Sequence, residues 1–178
     1  LEVLTTGNYP TTPYPAYGTA GSQEAGVRLE GLRLANNTVV PSDVDPTLID
    51  YSIQSARVMD DAASIEPVIL SYPDGTPNEM AAAAQAHNFV VGFASRRYAS
   101  ATNNGLTNAV LMFPDEGAAK AAAAEMLAAD MREWPDTSSV PHPIPGHPDA
   151  LAYTKTSTDG ITVSSYTPRG HYVLYQTA

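Results

Sequence analysis

The residues best suited to chemistry lie in the segment HPIPGHPD, which carries His142, His147 and Asp149. Imidazole nitrogens and a carboxylate are ligands that zinc and other transition metals accept. A third nitrogen ligand, such as His171, would have to come from a distant strand, and the HExxH spacing of a helix-borne zinc site is absent. Because segments of this composition are commonly plain loops, we predict no metal site. His142, His147 and Asp149 remain the candidate ligands, and a metal-assisted hydrolase is the alternative function that they would serve.

Other catalytic patterns are missing from the sequence. There is no cysteine, which excludes thiol nucleophiles, disulfides and cysteine-ligated zinc. Neither the G-x-S-x-G turn of hydrolases nor a phosphate-binding glycine-rich loop occurs. The paired acids Asp43 and Asp45, like Asp60 and Asp61, sit near turns or helix ends, where solvated capping is the usual role. We therefore predict no catalytic residue and no cofactor, and the enzyme question stays open with a leaning towards a non-enzyme.

Composition limits the class of partner. Acidic residues outnumber basic ones by 19 to 9, which gives a net charge of −10. A field of this sign repels phosphate backbones and anionic lipid headgroups, so we predict no nucleic-acid partner. Hydrophobic residues make up 43% and charged residues 16%, as in globular domains.

The first part of the chain changes character near residue 21. Residues 1–21 are rich in Pro, Thr and Tyr without helical or strand periodicity, which predicts an extended strap. A short amphipathic helix is predicted in SQEAGVRLEGLRLANN, a second helix near 46–59, and a strand in EPVILSY. Thr76 as N-cap and a following proline predict a third helix over 77–87.

The second part alternates strand and helix patterns. NFVVGFASRRY and NAVLMF predict a hairpin, and PDEGAAKAAAAEMLAADMREWP predicts a long helix that ends with Trp134 against the sheet. TSSVPHPIPGHPDA predicts a loop, and LAYTKT, ITVSSY and HYVLYQT predict a three-stranded meander. The fold class is therefore α+β, a mainly antiparallel sheet with helices packed on one face, preceded by the Pro/Tyr-rich strap. We predict that residues 22–178 form one domain, with a sub-boundary near residues 70–76.

Several segments resemble a group of uncharacterised lipoproteins of mycobacteria and their relatives. They are TTGNYPTTPYP, EAGVRLEGLRLAN with VVPSDVDP, VLMFPDEGAAKAAAAEM, and PIPGHPDALAYT. In that family a lipid-modified cysteine is expected shortly upstream of an L-D-x-G-x-Y-P-T stretch. Here Leu4 to Thr11 match this stretch except that Thr5 stands at the Asp position. The resemblance implies an extracytoplasmic, lipid-anchored envelope protein whose strap links anchor and domain, with membrane attachment only through that anchor and a further domain after Ala178.

Binding is the function that remains. Ten tyrosines, including Tyr166, Tyr172 and Tyr175, would suit protein, glycan or lipid contacts, although inward-facing tyrosines would simply be core. We therefore predict a non-enzymatic envelope lipoprotein domain that binds a protein partner or an apolar ligand, including a lipid or glycan. A third hypothesis makes the chain the structural N-terminal half of a larger two-domain protein. That hypothesis expects an unpaired sheet edge at strand 171–177.

Overall fold

The structure is a computed structural model that describes residues 30–35, 52–65, 79–99, 104–132, 138–158 and 160–178. Its elements in chain order are β1 (Ser52–Met59), a 3-10 helix (Ala62–Ser64), α1 (Glu79–Ala86), β2 (Val91–Ala99), β3 (Asn104–Met112), α2 (Glu116–Arg132), β4 (Ser138–Ile144), β5 (His147–Ser157), β6 (Gly160–Arg169) and β7 (Tyr172–Thr177). Residues 30–35 form a short helical segment before β1. The predicted strap, the sub-boundary at 70–76, the EPVILSY strand, the Thr76 cap and Trp134 lie outside the described residues.

All seven strands form one antiparallel sheet in the order β1-β2-β3-β7-β6-β5-β4. The sheet consists of two meanders, β1 to β3 and β4 to β7, which join where β3 pairs with β7. The predicted α+β class, the β2–β3 hairpin and the β5–β6–β7 meander are confirmed. Strand 171–177 lies in the middle of the sheet rather than at an edge, so the unpaired edge expected of the two-domain hypothesis is wrong.

The strand order explains why α2 crosses the sheet. β3 and β4 are consecutive in the chain, yet β7, β6 and β5 separate them in the sheet. The connection must therefore cross three strands, and α2 makes this crossing on one face. The helix begins as its acidic first turn predicts, since the Asp115 carboxylate accepts a hydrogen bond of 2.8 Å from the Ala118 amide. Glu116 and Lys120 add an ion pair one turn apart.

Two local predictions were wrong. The helix predicted near 46–59 is the strand β1 over the part that the structure describes, and β1 pairs with β2 from Ser52 to Met59. The predicted loop TSSVPHPIPGHPDA instead contains β4 and the start of β5. Pro141 and Pro143 are compatible with β4 because it is the last strand of the sheet, where a missing N–H can face away from the ladder. Gly146, with φ of 79°, makes the turn between β4 and β5.

The sheet buries side chains on both faces. On the helix face, α1, α2 and the 3-10 helix pack against alternate residues of the strands. The largest side chains of this cluster are Met59, Ile65, Met80, Leu111, Phe113, Met126, Tyr153, Tyr166 and Tyr175. On the far face, the helical segment at 30–35 covers part of the first meander and β7. This second cluster consists of Leu34, Val91, Phe93, Val110, Met112 and Tyr172.

Gly31 allows the segment at 30–35 to lie close to the sheet. A Cβ at this position would overlap Val58 Cγ1 and lie 3.0 Å from Val91 Cγ2. The glycine is therefore required by packing, although alanine is intrinsically the better helix former.

We expect Gly31→Ala to lower the free energy of unfolding by about 1–3 kcal/mol, as overpacking of a filled core does. Chemical denaturation followed by circular dichroism measures the change. Gly117→Ala in α2 is the matched control, because its Cβ would meet only Asp115 Oδ1 at 3.2 Å. The control should be neutral or more stable. An unchanged Gly31→Ala protein would contradict the packing of this segment.

Candidate functional site

The three candidate metal ligands lie on two neighbouring strands. His142 lies on β4, and its Nδ1 is 3.5 Å from the carbonyl oxygen of Pro143. His147 and Asp149 lie on β5, where both meet Arg169. An Arg169 N–H donates to His147 Nδ1 over 3.1 Å, and the guanidinium lies 3.6 Å from the Asp149 carboxylate.

A guanidinium beside two of three candidate ligands opposes a metal cation there. Within the described part of the chain, no group of three or more His, Cys, Asp or Glu side chains could hold a metal ion. His171 is buried, and its ring contacts that of Tyr172 at a tilt of 39°, with ring centroids 4.1 Å apart. The described residues thus give the metal-assisted hydrolase no supporting geometry, and that hypothesis stays a prediction.

A polar cluster that the sequence prediction missed lies beneath α2. Asp130 is only 1% exposed, although it is a carboxylate in an alanine-rich helix. The Tyr166 hydroxyl donates a hydrogen bond of 2.8 Å to Asp130 Oδ2 and also lies 3.6 Å from the sulfur of Met80. The position of Asp130 in the sequence could have revealed its burial. It follows Ala119, Ala123 and Met126 at the helical spacing of the buried stripe.

Burial dominates the electrostatics of this cluster. It raises the pKa of the Asp130 carboxyl above the usual 3.8, while the hydroxyls of Tyr153 and Tyr166 and the charge of Lys155 act in the opposite direction. Burial also raises the pKa values of Tyr153 and Tyr166, so both phenols stay protonated and can donate. In the described residues, neither Asp130 Oδ1 nor the Tyr153 hydroxyl has a hydrogen bond of regular geometry.

The cluster is sealed from solvent. Tyr153, Tyr166 and Tyr175 are fully buried, and Tyr172 is 9% exposed on the other side of the sheet. A substrate could not reach Asp130 in this conformation, so the carboxylate and its tyrosines act as a polar connection between helix and sheet. The prediction that tyrosines form a binding surface is therefore wrong for the tyrosines whose side chains the structure describes, because these are core residues.

An apolar cleft opens beside the end strand of the sheet. It lies between α2 and the β4–β5 hairpin and has a volume of about 310 Å³. The lining residues are Leu127, Pro141, His142, Pro143, Ala150, Leu151 and Ala152. Among these described lining residues only His142 is titratable, so this part of the cleft offers apolar contact without converging acids and bases.

A second, more polar groove runs along the outer side of α1 and α2. It has a volume of about 440 Å³ and an alanine floor. At one end Arg132 holds Glu79 through nitrogen–oxygen distances of 2.7 and 2.9 Å. At the other end His87 Nε2 lies 3.0 Å from Glu125 Oε2. These contacts join the two helices.

Comparison with known proteins places this geometry in a family. The model of a domain of unknown function, DUF7373 N-terminal, matches residues 17–178. The chain belongs to the DUF7373 N-terminal family. No curated protein matches the chain of this DUF7373 domain. The family gives no activity, but its N-terminal position agrees with the expectation of an N-terminal domain from an uncharacterised family.

The fold of this DUF7373 domain is similar to a solved structure. The extracellular domain of PknH from Mycobacterium tuberculosis matches with a TM-score of 0.55 and 14% sequence identity, over 94% of this chain and 87% of that one. At this identity the match shows the fold alone. No helix among the described residues is long and apolar enough to cross a membrane.

We expect Tyr166→Phe to lower the free energy of unfolding by about 1–3 kcal/mol, because it leaves a buried carboxylate oxygen without its donor. Denaturant titration at neutral pH measures the loss. Asp130→Ala is the matched background, because the Tyr166 hydroxyl has no carboxylate to donate to in that protein, and Tyr166→Phe should cost much less there. A loss from Tyr166→Phe as large in the Asp130→Ala background as in the wild type would contradict the assignment.

Asp130 also predicts a pH dependence of stability. Its pKa is raised in the fold, so its contribution is fully present below the ordinary value of 3.8 and is lost as pH rises through the folded-state pKa. The wild type should therefore gain stability relative to Asp130→Asn as pH falls from neutral towards 3.8. Urea titrations of both proteins across this range measure the difference. A difference that is constant or shrinks with falling pH would refute the raised pKa.

Proposed function

We propose that this DUF7373 domain is a non-catalytic, extracytoplasmic domain of the cell envelope that binds an apolar ligand or the apolar side chains of a protein partner. The cleft between α2 and the β4–β5 hairpin is the observation that carries the proposal. Its volume is at the lower end of the range for small-molecule sites, about 300–1,000 Å³.

The chemistry of the cleft favours binding over catalysis. Leu127 and Leu151 form its apolar wall, and Pro141 and Pro143 give β4 a stiff backbone. An enzyme would need a nucleophile or an acid–base pair directed into the same space. Among the described residues of the lining, His142 is the one titratable side chain, and Asp130 is buried under the helix.

Two features support an extracytoplasmic location. The sequence resembles envelope lipoproteins, and the fold is similar to that of the extracellular domain of PknH from Mycobacterium tuberculosis. The net charge of −10 would oppose direct adsorption on anionic lipid. We accordingly propose attachment through a lipid on an upstream residue, with residues 1–21 as the spacer between membrane and domain.

The cleft predicts saturable binding of an apolar probe. We expect the neutral dye N-phenylnaphthylamine to gain fluorescence on binding, and Leu127→Gln to weaken its affinity on the order of tenfold. Lost burial of a leucine side chain costs about 1.5–3 kcal/mol, and about 1.4 kcal/mol is tenfold in affinity. Fluorescence titration measures the dissociation constant.

Two further variants make this experiment decisive. Pro143→Gln changes an exposed residue of the same lining and should weaken the affinity for the dye without unfolding the protein. Ile161→Gln changes a side chain that is 69% exposed on the opposite face of the sheet and should leave the affinity unchanged. Equal affinities for all three variants and the wild type would remove the cleft as the site.

The anchor predicts a mass that the polypeptide alone cannot explain. In protein purified from its own organism, denaturing mass spectrometry should show acyl groups on the native N-terminus. Native spectra should also show any cleft ligand as an adduct that disappears on denaturation. A bare N-terminus would refute the lipid anchor, whereas a bare native mass would argue against a retained ligand, so the two parts of the proposal fail separately.

A further inference from the structure

An apolar row lies on the far face of the second meander, opposite α2. It consists of Val140 on β4 with Ile161 and Val163 on β6. Side chains alternate along β6, so Ser164 points to the helix face and is buried, while Val163 points away from it. Thr154 on β5 pairs with both Val140 and Val163, which makes the row continuous across three strands.

The row is unusually exposed for apolar side chains. Val140 is 57%, Ile161 69% and Val163 41% exposed. Besides Leu32 on the helical segment at 30–35, these are the exposed large hydrophobic residues of the described part of the chain. Isolated apolar side chains on a surface are ordinary, but apolar side chains grouped on one sheet face indicate a contact surface.

The adjacent sheet edge is a poor place for a partner strand. Pro141 and Pro143 remove two backbone donors from β4, the strand that ends the sheet on this side. A partner that approaches here would therefore use side-chain contact with the face rather than extension of the hydrogen-bond ladder.

Ala178 lies directly beside the apolar row. Its amide donates to the Val163 carbonyl over 3.0 Å, and the Val163 amide donates to the Ala178 carbonyl over 2.8 Å. Any polypeptide that continues after Ala178 would leave the sheet next to Val163. The family is described as an N-terminal domain, which assigns following sequence to its members.

We propose that the apolar row is the docking surface for a domain that follows Ala178 in the same polypeptide. Three side chains fall far short of the roughly 1,200–2,000 Å² that a stable complex of separate chains buries. A tethered partner needs much less area, because a short linker supplies an effective concentration on the order of millimolar. The inference is independent of the cleft, which lies beside α2 and β4.

Methyl NMR of the polypeptide with its native sequence after Ala178 tests this docking. A soluble paramagnetic reagent broadens methyl groups that solvent reaches, and the Val140 methyls report on the row. We expect these methyls to lose their broadening in the longer polypeptide relative to the 178-residue chain. The Leu32 methyls, which lie on another surface, should be broadened equally in both.

Variants identify which surface carries the contact. In the longer polypeptide, Ile161→Ser with Val163→Ser should restore broadening of the Val140 methyls, whereas Leu32→Ser should not. Val140 methyls that stay broadened in the longer polypeptide would overturn the proposal. So would protection in the 178-residue chain that grows with its concentration, since that would assign the row to a second copy.

Discussion

The crossing of α2 over the second meander is the constraint on which the rest of the structure depends. Because β7 returns to pair with β3, the chain must carry β4 to the far end of the sheet, and only a long connection across one face can do this. The alanines of α2 allow the helix backbone to lie close to the strands. Tyr166 then fixes the helix at one point through its hydrogen bond to Asp130.

This crossing divides the molecule into surfaces with different chemistry. Under the helix, a carboxylate and several phenols are held away from solvent, where they can orient the helix but not meet a substrate. Beside the helix, the space between Leu127 and the proline-rich β4 stays open as an apolar cleft. On the far face, residues 30–35 cover part of the first meander, while the second leaves its apolar row exposed. Both open surfaces consist largely of apolar side chains.

Sequence reasoning was accurate where the determinants are local. The apolar runs in NFVVGFASRRY and NAVLMF predicted the β2–β3 hairpin, and the acidic first turn with the alanine-rich stripe predicted α2. It was wrong where a neighbouring strand supplies the decisive energy. SIQSARVM has too few apolar residues to reveal strand or helix by itself, and pairing with β2 makes it β1. SSVPHPI has two prolines that would disfavour a central strand, and only its place at the end of the sheet makes it β4.

The sequence by itself determined the class of fold, the absence of thiol chemistry and the charge that disfavours nucleic acid, because these follow from composition and short-range pattern. It also contained Asp130 at a buried-stripe position, although a single carboxylate among alanines does not reveal its partner. Only the tertiary structure decided that Tyr166 meets Asp130, that Arg169 lies between His147 and Asp149, and that strand 171–177 is central. Each of these depends on strand order, and strand order is set by long-range pairing and burial that no local segment specifies.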